Sequence, residues 1–369
     1  MTFRFLVSFH YHEKTDLQAI VDAYNGPCEV FADSGAYSAA SLGATIKLAD
    51  YAAWLKDWEH LLTIKATLDV IGDPQATARN TRTLERQGIN VLPVFHVGTP
   101  WGELEKMVKQ YDYLALGGMV PHSGKADAVM RWLVKAFQVA RETGTVYHGF
   151  GQTRLETIKK LPFYSVDSSA WSSGMRYGTI VLWDEKSSNF IKLQASDPAQ
   201  ARRYAALLRS HGANPSLVAK PGFAMLSRRT PEQFRREVSM MRGAPAIAYM
   251  RMGEYLARRH KVPRPASLGD GKNGTAVYVA DAAMRHLVDA APIVNDVGTA
   301  VYLAADTGGS CMKMALDHMR DTGTHVYLAN TAAINLRGAA MVAGGVDANE
   351  VDKSVYIDEI RKKKDGENE

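Results

Sequence analysis

The stretch "EVFADSGAYSA", residues 29–39, begins as a strand and ends as something else. Val30, Phe31 and Ala32 suit a strand buried on both faces. Asp33, Ser34 and Gly35 then bring an acid, a hydroxyl and a residue free to turn the backbone. Beyond the turn, "KLADYAAWLKDWEHLL" (47–62) carries apolar residues at helical spacing. The whole reads as one strand–turn–helix step.

Seven further apolar runs have the same character: "FRFLVSF" (3–9), "IKATLDVIG" (64–72), "NVLPVFHVG" (90–98), "YDYLALGG" (111–118), "TVYHGFG" (145–151), "FYSVDSS" (163–169) and "GTIVLW" (178–183). They are rich in β-branched and aromatic residues, as parallel strands require. Helix-start signals lie between or after them: Thr15 with Gln18 as a capping box, then Asp73-Pro74, Thr99-Pro100 and Asp197-Pro198. Eight such steps predict an α/β fold, a (β/α)₈ TIM-like barrel over residues 1–212. An open doubly wound sheet is the structural alternative, because the step into the eighth run is short and lacks a clear helix.

A C-terminal helical and small α/β extension is expected after the barrel. Thr230-Pro231 opens a basic amphipathic helix and "AYMRMGEYLARRH" a second, within a helical segment over 213–265. "KVPRPASLGDGKNG" (261–274) reads as a loop or linker. "GTAVYVA" at 274, "GTAVYLA" at 298 and "GTHVYLA" at 323 repeat a strand motif, predicting a small α/β region over 274–345. Residues 360–369 are expected to be a disordered charged tail.

The chain has 369 residues, 46% apolar and 22% charged, a globular balance. No apolar run approaches the roughly 18 residues that span a bilayer. "MTFRFLVSFH" reads as a first strand with no basic leader, so a cytoplasmic protein without membrane contact is expected. Two cysteines, Cys28 and Cys311, argue against a disulfide framework and a thiolate zinc site. The net charge of +5 is uneven: ten Lys/Arg and three acids lie between Arg228 and Arg264. That excess suits polyanion contact, with Arg228, Arg229, Arg235, Arg236, Arg258, Arg259 and Lys261 as candidates, although an Arg-rich solvated helix face would look the same.

In a (β/α)₈ barrel the chemistry sits at the C-terminal strand ends. There the sequence places Asp33 and Ser34, Asp69, His96, Gly117 and Gly118, His148 and Gly149, and Asp167. Singly, each has a structural reading: an Asp can cap a turn, a Gly pair can mark a bend, and a His can be a packing residue. Three carboxylates aimed into one mouth are costly unless a substrate uses them. One can attack an electrophilic carbon, a second can move a proton, and a third can accept N–H hydrogen bonds, while glycine turns offer backbone N–H groups to a carbonyl. That set fits glycosidic chemistry on a ligand with both N–H donors and a carbonyl, such as guanine.

These residues resemble the tRNA-guanine transglycosylase superfamily, barrels that swap guanine for a 7-deazaguanine base. "DSGAY" resembles the family's Asp-Ser-Gly-Gly-Phe, "TLDVIGDP" its strand-three Asp segment, "LALGGM" its Gly-Gly-Leu turn and "YHGFGQ" its Gly-x-Gly turn. "FYSVDSSAW", followed by "GMRYG", is most similar to the DNA-guanine transglycosylases of bacterial and phage DNA-modification systems. The resemblance covers about residues 1–185.

It implies that Asp167 is the nucleophile on the deoxyribose C1′ and Asp33 the general acid/base. It also implies that Asp69 accepts from the base N1 and exocyclic amine, the Gly118 N–H holds the base carbonyl, Tyr37 and His148 sandwich the ring, and Ser34 closes the pocket. Its expected partners are DNA and a 7-deazaguanine base such as 7-cyano-7-deazaguanine, with no metal and no cofactor. Oligomeric state and the need for partner proteins are left open.

The sequence also departs from the family. Ala36 replaces a glycine, and His96 stands where the tRNA enzymes carry a base-reading Gln. The three-Cys-plus-His zinc site has no counterpart, and neither does the Thr-Arg that follows the nucleophile. A tRNA-directed exchange enzyme, a barrel nucleoside or glycoside hydrolase and a non-catalytic nucleic-acid-binding subunit are the alternatives.

Overall fold

The computed structural model describes residues 2–119, 126–298, 301–303 and 326–328. It divides into two units, Met1–Val294 and Asn295–Glu369. In the first, strands β1 (Phe3–Ser8), β2 (Cys28–Asp33), β3 (Leu62–Lys65), β4 (Val94–His96), β5 (Tyr113–Gly117), β6 (Val146–Gly149) and β7 (Ser165–Ser168) form on seven of the apolar runs, β3 starting two residues ahead of its run and ending before Asp69. They belong to one eight-stranded parallel sheet, ordered β3-β2-β1-β10-β7-β6-β5-β4, where β10 is Ala276–Ala280. Its two edges meet at an isolated parallel bridge between Ala66 and Leu92, where Leu92 N–H donates to Lys65 O at 2.7 Å. The sheet is thus curled and flanked by helices, compatible with a TIM-like fold.

Alternation along the strands gives the sheet an inner face. Leu6, Phe31, Ile64, Val94, Ala115, Val146 and Tyr278 form one buried cluster there. Each large side chain so buried contributes about 1.5–3 kcal/mol. Phe31 and Asp33 share a face, as do Val94 and His96, so the inward register that builds the core also delivers polar groups to the C-terminal rim.

One strand assignment is corrected. "GTIVLW" does form a strand, β8 (Thr179–Asp184), but it pairs antiparallel with β9 (Asn189–Gln194) in a separate two-stranded sheet. A tight turn makes the hairpin: the Asp184 carboxylate accepts from the Lys186 and Ser187 N–H groups and from the Ser187 hydroxyl. The eighth parallel strand comes instead from the first "GT-x-VY" copy. β10 pairs with β1 on one side and β7 on the other, so the sheet runs to residue 280 rather than ending near 212.

Between β7 and β10 the chain inserts the hairpin, four short α-helices and a 30-residue helix, Pro231–His260. The two expected basic helices are this single one. Thr230 and Gln233 form a reciprocal capping box at its start, and Lys261 ends it at φ 51. Its middle, Met240 to Met250, is buried all round, although Pro245 lies inside it. Met240, Met241 and Ala244 join a second core with Ile180, Leu182, Leu193 and Leu208.

Two helix starts also differ. Asp16, not Thr15, caps the helix Leu17–Asp22, because its carboxylate accepts from the Gln18 and Ala19 N–H groups. Pro100, not Thr99, precedes the helix Trp101–Gln110. Asp73 and Asp197 cap as predicted.

In the second unit, β11 (Val301–Leu303) and β12 (Val326–Leu328) pair in parallel with Tyr302 opposite Tyr327. The second and third repeat copies therefore pair in register. Of the expected α/β region, the helix Met284–Gly298 follows the first copy, while residues 299–300, 304–325 and 329–345, like the tail at 360–369, lie outside the described residues.

Candidate functional site

All strands of a parallel sheet end on the same side, and here that rim gathers the three acids. Asp33 closes β2. Gly35, at φ +73, turns the chain back so that its N–H donates to Asp33 Oδ2 at 3.0 Å. A Cβ there would lie 2.8 Å from His10 Cβ, so glycine serves the packing as well as the turn. Ser8 Oγ donates to the same oxygen at 3.3 Å. Burial, with Asp69 and then Asp167 nearby, pushes the Asp33 carboxyl from 3.8 up to about 7, against the pull of the Gly35 and Ser34 N–H groups. The carboxyl thus holds or releases its proton near neutrality, as a general acid/base requires.

Asp69 lies beyond β3 on an extended segment pinned by Asn80 Nδ2 donating to Leu68 O and by Val70 N–H donating to Thr77 Oγ1. Its Oδ2 meets His96 Nε2 at 3.1 Å. Burial works against charge on His96, but the Asp69 contact outweighs it and raises the imidazole above its usual range. Asp69 Oδ1 is buried and has no hydrogen-bond partner among the described residues. An orphaned carboxylate oxygen at the strand-end rim is free to accept a hydrogen bond. His96 is committed to Asp69, and Gly117 makes room for it: a Cβ at Gly117 would lie 3.1 Å from the His96 ring. Gly118 follows at φ +75.

Asp167, on β7, is 8% exposed. Gly151 N–H donates to its Oδ1 at 2.7 Å, and His148 Nε2 stands 3.3 Å from the same oxygen. His148 departs from its expected stacking role. It is fully buried, with Phe31 and Phe150 rings 4.5 and 4.6 Å from its own, which leaves no open face for a base. Gly149 packs tightly, since a Cβ would lie 2.8 Å from the Phe163 ring. Ser34 is buried within the turn, its Oγ accepting from Ala36 N–H. Tyr37 is 49% exposed on the short helix Ala36–Ser41. Tyr11, Ile71 and Tyr177 are also exposed, in segments that follow β1, β3 and β7.

The basic residues do not form one patch. The long helix runs antiparallel to β10: Arg242 Nη1 donates to Ser172 O beyond β7, Gly253 faces Val277, and Ala257 lies against Gly274 before β10 begins. Its 30 residues span about 45 Å. Arg228, Arg235 and Arg236 are exposed near the end that reaches the rim. Arg258, Arg259 and Lys261 lie at the N-terminal ends of the strands, away from the carboxylates. Arg259 there donates to Lys159 O, and Arg258 pairs with Glu185. Arg229 is spent on buried Glu237, at 2.6 Å.

A second polar group at the rim escaped the sequence reading. Asp281 follows β10, and its Oδ1 meets His286 Nδ1 at 2.9 Å. Burial disfavours its charge, but hydrogen bonds led by that from His286 outweigh it and hold the carboxyl low. Fully buried His12 meets Asp281 O through Nε2. The signal was present: "VYVAD" (277–281) is an apolar strand ending in Asp, like "VFAD" and "YSVD". Tyr278 and Ala280 face the inner core, so Asp281 falls on the outer register, and its charge favours that of buried Arg242.

Among the described residues no helix is long and apolar enough to cross a membrane, and no group of three His, Cys, Asp or Glu side chains is arranged to hold a metal ion. A cleft lined by Lys65, Asn90, Tyr111 and Asp112 lies beside β3 and at the N-terminal ends of β4 and β5, away from the carboxylates. Compared with protein-family models, with curated proteins and with solved structures, the chain gives no match in any of the three.

Proposed function

We propose that this chain is a DNA-guanine transglycosylase that exchanges guanine in DNA for a 7-deazaguanine base, such as 7-cyano-7-deazaguanine. The observation that carries the reading is Asp33, a carboxyl pushed to about 7 beside Asp69 and Asp167. A carboxyl that keeps its proton near neutrality beside other carboxylates suits the acid–base half of glycosidic chemistry.

In this mechanism the target guanine is extruded into the mouth, where Asp69 Oδ1 accepts from its N–H donors. Both contacts on Asp167 fall on Oδ1, so Oδ2 attacks the deoxyribose C1′. The C1′–N9 bond breaks, its electron pair goes to N9, and protonated Asp33 gives guanine a proton. The incoming base then loses its N9 proton to Asp33 and attacks C1′, which frees Asp167. Exposed Tyr11, Tyr37 and Tyr177 offer ring faces to neighbouring bases, and Arg228, Arg235 and Arg236 offer charge to phosphates.

The division of basic residues between two ends favours a second reading, a barrel hydrolase acting on a small nucleoside or glycoside with water as acceptor. A denaturing gel with labelled duplex DNA separates the two. An adduct formed by the wild type, lost in Asp167→Asn and discharged by added base supports exchange. Normal exchange of labelled guanine by Asp167→Asn would sink the assignment.

A further inference from the structure

We propose that His148 is a positioning residue for Asp167, its tautomer set by a hydrogen-bond chain that runs from Tyr113 through Ser165. The role of Asp167 rests on the base-exchange reading; the chain itself does not. Tyr113, His148 and Ser165 lie on the neighbouring strands β5, β6 and β7. The Tyr113 hydroxyl meets Ser165 Oγ at 2.5 Å, and Ser165 Oγ meets His148 Nδ1 at 2.6 Å. All three residues are buried. His148 Nε2 has no aligned hydrogen bond among the described residues, yet it stands 3.3 Å from Asp167 Oδ1.

The direction of the chain follows from its ends. Burial pushes the Tyr113 phenol well above its ordinary range, so its hydroxyl keeps a proton to donate. Ser165 Oγ then accepts from Tyr113 and donates its own hydrogen bond to His148 Nδ1, which accepts through its lone pair. That leaves the imidazole proton on Nε2, facing Asp167. The reverse order would put the ring proton on Nδ1 and turn a bare Nε2 lone pair toward a carboxylate oxygen, which is repulsive. Phe31 and Phe150 pack against the ring, so it is not free to turn away. Contacts of this kind are often long without substrate and tighten in the reacting complex. Once tightened, Nε2–H and Gly151 N–H together hold Oδ1, which aims Oδ2 at the sugar carbon. An imidazole fixed by its far nitrogen is a known way to orient a reacting group.

The test combines a spectrum with kinetics. In ¹⁵N-histidine-labelled protein, with the His148 signal assigned by its loss in His148→Gln, the wild type should show the Nε2–H tautomer. Ser165→Ala should shift it toward a mixture and lower kcat for guanine exchange about 10-fold, with KM nearly unchanged. His148→Gln keeps a donor toward Asp167 and should hold kcat near wild type, whereas His148→Phe should lose roughly 100-fold, the upper range for losing an orienting partner. An Nδ1–H tautomer in the wild type overturns the proposal. So does equal turnover by His148→Phe and His148→Gln. If the wild type performs no exchange, the base-exchange reading falls, and the tautomer alone then decides the chain.

Discussion

Replacing Asp33 by Asn should stabilise the protein and inactivate it at once, by an amount that depends on pH. The Asp33 carboxyl stands at about 7 in the folded chain, against an ordinary 3.8. A raised carboxyl binds its proton more tightly when folded. Its contribution to stability is therefore complete below 3.8 and is lost as the pH rises through about 7. At 1.36 kcal/mol per unit the whole shift is worth about 4 kcal/mol. Roughly 3 kcal/mol of this falls between pH 5 and pH 8, because the unfolded chain is already largely ionised at pH 5.

Asn keeps an oxygen for the Gly35 N–H but cannot ionise. Urea unfolding of both proteins, followed by far-UV circular dichroism at pH 5, 6, 7 and 8, should show the variant gaining on the wild type by roughly 3 kcal/mol across that range. A difference that stays flat with pH would refute the argument that burial and two neighbouring carboxylates hold this proton. The same variant should exchange no guanine at any of these pH values, since it can neither give nor take the proton.

Three other outcomes follow from the geometry. Asp69→Asn turns one of the site's two acceptor oxygens into a donor, so the inhibition constant of free guanine against exchange should rise about 100-fold or more, as when a buried polar contact is mismatched. Gly149→Ala places a methyl 2.8 Å from the Phe163 ring and 3.0 Å from Gln152 Cβ, and should cost about 1–3 kcal/mol in urea unfolding. Arg235→Glu with Arg236→Glu should weaken duplex binding and flatten its salt dependence, while Arg258→Glu, at the far end of the long helix, should leave both unchanged in a fluorescence anisotropy titration.

Seven of the eight parallel strands were legible because each is a short apolar run, and all but the first close on a Gly, Asp or His turn, a pattern written locally in the chain. The acids at the strand ends were legible for the same reason. Asp33, Asp69 and Asp167 each follow or close such a run, and a parallel sheet must bring those ends to one side. The capping of Asp73, Asp197 and Thr230 was equally local, since each side chain bonds an N–H only two or three residues away.

Pairing between distant segments was not legible. "GTIVLW" and "GTAVYVA" are equally good strands, and nothing in either says that the first folds back on its neighbour while the second crosses some 100 residues to lie between β1 and β7. That choice depends on the Asp184 turn, which favours a local hairpin, and on the long helix, which carries the chain from the rim back to the start of β10. It separates Arg258 from Arg235, although both lie in the same basic run, and it brings Asp281 to the outer side of the rim. The state of each polar side chain was likewise settled in three dimensions. His148 is sealed between two phenylalanine rings and His96 is tied to Asp69, because hydrogen bonds and burial depend on neighbours from other strands, which no spacing along the chain records.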